Sequence, residues 1–96
     1  MAESRIKEPE RWQLRHAAGS YWLLDMKQGQ KDRKGPLSLN QAGAEIWRLL
    51  QQGMEEEAVA DEMHRRYQID RESAMEDVRG FLAGLEAQGI VIEVQV

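Results

Sequence analysis

From Trp12 the apolar positions recur every second residue, and from Asn40 they recur every third and fourth. In "WQLRHA", Trp12, Leu14 and His16 share one face and Gln13 and Arg15 the other, the spacing of a strand with one side against a core. Gly19-Ser20 supplies a tight reversal into "YWLLDM", whose bulky and aromatic side chains suit a half-buried pleated surface. The two segments predict a hairpin. Residues 27–35, "KQGQKDRKG", contain two glycines, four basic residues and no apolar side chain, so a solvated turn is expected there. It leads to a short third strand, Pro36 to Leu39. Because Pro36 has no N–H to give to a ladder, this strand belongs at a sheet edge.

The helical pattern starts without a loop. Asn40 is a good N-cap, Ala42, Ile46, Leu49 and Leu50 form a stripe, and Gly53 stands where a left-handed residue ends a helix, with Leu49 and Met54 spaced for the accompanying apolar contact. A second helix follows in "MEEEAVADEMHRRY", acidic at its start and basic at its end as the helix dipole favours. Its apolar face is Val59, Ala60, Met63 and Tyr67. Asp70 is placed to cap a third helix, in which Ala74, Val78, Phe81, Leu82 and Leu85 repeat until Gly89. The terminal "IVIEVQV" alternates again. The order β-β-β-α-α-α predicts an α+β domain of winged-helix type, a three-stranded antiparallel sheet covered by the three helices that follow it.

Composition narrows the class. The 96 residues make one domain, enough for one modest core. Residues 1–11 are polar and charged and are expected as a tail, with the domain over 12–96. There is no cysteine, which removes disulfides, thiolate nucleophiles and the usual structural zinc sites. "MAESRIKEPER" does not resemble a signal peptide and no run is long enough to span a bilayer, so the expectation is a cytoplasmic protein away from membranes. The net charge of −4 is uneven: residues 1–35 sum to +3 and residues 36–96 to −7.

Catalytic chemistry finds no support. His16 and His64 lie in separate elements without ligand-spaced partners, and the carboxylates of "MEEEA" and "DRESAMED" read as solvated helix faces. GxGxxG, Walker A and nucleophile-elbow patterns are absent. Neither an enzyme nor a metal or organic cofactor is expected.

The third helix does hold one unusual feature. Gly80, Ala83, Gly84 and Ala87 line one side, and a helix-interior glycine costs about 1 kcal/mol relative to alanine. Either these residues allow close packing inside the domain, or they leave a groove for another backbone. A groove beside an edge strand would take an extended peptide, with main-chain hydrogen bonds from the strand and selectivity at alternate, inward side chains.

The chain resembles the PqqD-like proteins in "LLD", "LSLNQAGAEIWRLLQQG", "AVADEMHRRY" and "DVRGFLAGLEAQGIV". Leu39-Asn40, Ile46-Trp47, Leu49-Leu50, Gly53, Tyr67, Asp77-Val78, Phe81-Leu82, Leu85 and Gly89 stand in the family's places. The resemblance implies a non-catalytic chaperone, a recognition element for the leader of a ribosomally synthesised, post-translationally modified peptide. Such a protein binds the precursor leader as an added strand and presents it to a modifying enzyme, often of the radical SAM type. By position the contacts would come from Pro36, Leu37, Ser38 and Leu39 on the strand and from Met75, Val78, Arg79, Leu82, Ala83 and Glu86 on the helix. Asp77 and Arg79 would pair with charged leader residues, and the basic residues 31–34 would meet an acidic leader or enzyme. The "PE-G" and "C-D-G" stretches of the pyrroloquinoline quinone pathway member are replaced here by "KDRKGPLS" and "QQG", so the resemblance selects no single pathway.

Two other readings share the predicted topology. One is a small assembly domain that pairs its edge strands into a homodimer rather than working as a monomer. The other is a winged-helix DNA-binding regulator, for which the third helix would have to enter a groove. That helix sums to −3 over residues 70–87, so phosphate would repel it and nucleic acid is not an expected partner. A gel-shift titration at physiological salt is accordingly expected to show no specific DNA complex.

Overall fold

Ala18 and Gly19 both sit at positive φ, 54° and 76°, the backbone that a two-residue hairpin turn needs to match the twist of its strands. They join β1 (Trp12–Ala17) to β2 (Ser20–Asp25), with Ala17 opposite Ser20 and Leu14 opposite Leu23. The reversal therefore falls one residue earlier than Gly19-Ser20. β3 (Leu37–Leu39) pairs antiparallel with β2, Tyr21 facing Leu39, so the sheet order is β1-β2-β3. In this computed structural model residues 4–27, 35–90 and 92 are described. Residues 31–34 and most of "IVIEVQV" lie outside them.

Three helices follow: α1 (Gln41–Gln51), α2 (Glu56–Tyr67) and α3 (Arg71–Ala87). The expected α+β architecture is present. The Asn40 side chain accepts the Gly43 amide at 2.7 Å and so satisfies one of the free donors at the start of α1. Gly53 and Gly89, at φ 90° and 82°, close α1 and α3. In each case the following amide reaches back to a leucine carbonyl, Met54 to Leu49 at 3.2 Å and Ile90 to Leu85 at 2.9 Å. Asp70 occupies the N-cap of α3 without a side-chain hydrogen bond.

Trp47 is fully buried at the centre, and Ile46, Leu50, Val59, Met63, Val78 and Leu85 surround it. Each comes from the stripe its helix showed in sequence. Tyr67 is the exception: it ends α2 at 39% exposure, where the pattern had placed it on the apolar face.

The lead-in expected as a polar tail is docked from Arg5 onward. Ile6 is 1% exposed and bridges Ile92, and the Arg5 amide donates to the Leu50 carbonyl at 2.9 Å. A single 3-10 turn, Pro9–Arg11, then carries the chain into β1. A lone apolar residue among charges gives no periodicity, so the pattern did not show that Ile6 is anchored. Arg11 completes the attachment by donating from Nε and Nη2 to the two carboxylate oxygens of Asp25, each at 2.8 Å. Asp25 is 2% exposed and also accepts the Lys27 amide at 3.0 Å.

Removing Arg11 takes the paired cation away from a buried carboxylate. Arg11→Ala is expected to lower stability by about 3 kcal/mol, measured as a reduced urea midpoint at unchanged m-value.

Candidate functional site

β3 presents one edge to β2, and among the described residues no strand pairs with its other edge. Leu39 is buried and Leu37 half-buried, while Ser38, on the alternate face, is exposed. The main-chain N–H and C=O groups of β3 that point away from β2 are open to an extended partner. Pro36 is exposed and lies one residue before the ladder, as its missing N–H requires.

The strand passes into α1 through Asn40, and here α3 comes close. A Cβ at Gly43 would stand 3.1 Å from Cε1 of Phe81, so only glycine gives that ring its full space. Phe81 is half-buried, and helical spacing sets Asp77 and Gly84 beside it. Sequence reasoning placed Phe81 in the general apolar stripe and did not single out Gly43. The available signal was a glycine three residues after a strong N-cap, where backbone rather than side chain meets a neighbour.

The small-residue stripe makes no packing inside the domain. Gly80, Ala83, Gly84 and Ala87 are all exposed, and a Cβ at Gly80 or Gly84 would meet nothing within 4 Å. The glycines leave open surface on α3.

The remaining residues expected at the site divide between two places. Val78 is fully buried and belongs to the core, and Met75 is half-buried against it. Arg79, Leu82, Ala83 and Glu86 line a cleft of about 550 Å³ between α3 and the start of α2, with Leu50 and Met54 on its floor and Arg5 and Ile92 closing one side. Arg79 does not stand free there: its Nε lies 3.5 Å from Glu56 Oε1. Ser38 and Leu39 border a different depression, also about 550 Å³, together with His16, Tyr21, Asn40 and Gln41. The His16 and Tyr21 rings stack across it at 4.3 Å. The two share no lining residue, and α1 separates them: Asn40 and Leu50 are about 15 Å apart along a helix rising 1.5 Å per residue. Ser38 and Leu39 of the strand set and Arg79, Leu82, Ala83 and Glu86 of the helix set therefore border separate cavities at opposite ends of α1.

Among the described residues no group of His, Asp and Glu is arranged to hold a metal ion, and no helix is long and apolar enough to cross a membrane. The surface around β3 is suited to recognition through backbone pairing and apolar contact.

The family model for coenzyme PQQ synthesis protein D (PqqD) matches residues 23–91. The structure of TbiB1 in complex with the TbiA(beta) leader peptide superimposes with a TM-score of 0.70, at 25% identity, covering 96% of this chain and 98% of that one. A lasso peptide synthetase B1 complexed with the leader peptide has the same fold, with a TM-score of 0.71 at 23% identity over 95% and 99% of the two chains. No curated protein matches the chain significantly.

Because Gly80 and Gly84 face open space inside a helix, Gly80→Ala and Gly84→Ala are each expected to stabilise the protein by up to about 1 kcal/mol. Urea unfolding checks this, and a loss of stability would mean that the stripe is packed.

Proposed function

The chain belongs to the PqqD family, and on that premise we propose that it is a non-catalytic chaperone for the leader of a ribosomally synthesised, modified peptide. It binds the leader as an added strand on the open edge of β3 and presents the precursor to a modifying enzyme. The observation that carries this reading is the position of that edge. β3 has β2 on one side only, and it runs directly into a capped helix against which α3 sets the half-buried ring of Phe81.

Strand addition draws affinity from main-chain hydrogen bonds, while alternate side chains select the sequence. The amides and carbonyls of residues 37–39 supply the first, with Pro36 marking where pairing begins. Leu37 and Phe81 supply apolar contact for inward leader side chains. Glycines on α3 let a second backbone approach without meeting a Cβ. The 25%-identical TbiB1, solved with a leader peptide, supports the same use of this fold. The strand half of the expected contact set belongs to this reading. Arg79, Leu82, Ala83 and Glu86 face the other cleft.

The test uses the leader of a precursor encoded beside this chain. Titration is expected to slow hydrogen exchange at the β3 amides that point away from β2. Phe81→Ala is expected to weaken binding roughly 30-fold, the effect of truncating an aromatic anchor worth about 2 kcal/mol, while the circular dichroism spectrum stays folded. Protection confined to another element, or equal affinity for Phe81→Ala, overturns the reading.

A further inference from the structure

We infer that the cleft between α3 and the start of α2 is a docking surface for a cationic, apolar segment of the modifying enzyme. The inference rests on the presenting role proposed above, because a presenter must hold two partners at once and needs a second surface clear of the first. The cleft meets that requirement, lying at the far end of α1 from β3 and sharing no lining residue with the depression there.

Its chemistry specifies the occupant. Its apolar lining, Leu50, Met54, Leu82 and Ile92, gives an incoming segment surface to bury. The rim is acidic: Glu55, Glu56, Glu57 and Glu86 outnumber Arg5 and Arg79. Arg5 is already committed inside the fold, its side chain only 6% exposed and its Nη2 3.1 Å from Glu55. Arg79 is loosely held, with a side chain 67% exposed and 3.5 Å from Glu56. An exposed pair of that kind contributes little, so a lysine or arginine from a partner can replace Arg79 on Glu56. Negative potential in a cleft with apolar walls draws cationic groups in and repels acidic segments.

The experiment measures two affinities for wild type and for Glu56→Gln/Glu57→Gln: one for the purified modifying enzyme encoded beside this chain, one for the leader. Glutamine keeps the size of both side chains and leaves the start of α2 without added positive charge. The expected result is an enzyme affinity about tenfold lower in the variant, with leader affinity unchanged. Wild-type enzyme binding is also expected to weaken as salt rises. Equal enzyme affinity in the variant, or a parallel loss of leader binding, overturns the inference. So does a wild-type dimer in light scattering that the variant breaks, because the occupant would then be a second copy. If wild type binds the enzyme but no leader, the strand-addition reading fails instead and the docking surface stands.

Discussion

Asn40 is both the residue that follows β3 and the N-cap of α1, and most of the structure follows from that double position. A buried Leu39 holds the strand to the core, and one residue later the Asn40 side chain has taken the Gly43 amide. Asn40 alone lies between the end of β3 and the start of α1. The helix that continues β3 is anchored by the buried Ile46, Trp47, Leu49 and Leu50. An added peptide meets an edge already held in extended form, so little ordering cost falls on the protein side of binding.

The second constraint comes from the chain's beginning. Arg5 and Ile6 reach the junction of α1 and α2, and Arg11 is fixed to the buried Asp25 at the end of β2. These contacts tie the sheet to the helices from the side opposite β3. They also build the cleft, since Arg5 and Ile92 form part of its wall and the Ile6–Ile92 bridge holds those two segments together. One arm therefore contributes to stability and shapes a surface for recognition.

Together these features form two separate surfaces at opposite ends of α1. Near its start are an open edge, an aromatic ring and a glycine-lined helix face, suited to an extended peptide. Near its end is an apolar cleft with an acidic rim. Among the described residues no group of His, Asp and Glu is arranged to hold a metal ion. Bringing two partners together requires only that both surfaces be formed at once.

Much of this was legible in the sequence because the signals are local. Period-two alternation marked β1, bulky and aromatic side chains marked β2, Pro36 implied an edge, and Asn40, Gly53 and Gly89 marked helix ends through backbone geometry that depends on nearest neighbours. Contacts between distant residues were decided only by the tertiary structure. Ile6 has no apolar neighbour to form a pattern, so its burial depends on a gap left by α1 and the C-terminal segment. Gly43 looked like any helix glycine until Phe81, 38 residues later, packed against it. Helical spacing sets Arg79, Leu82, Ala83 and Glu86, which the family resemblance named together with Met75 and Val78, on one face. It could not say which neighbour that face meets, because periodicity fixes angles around a helix axis and leaves the direction of the axis to packing.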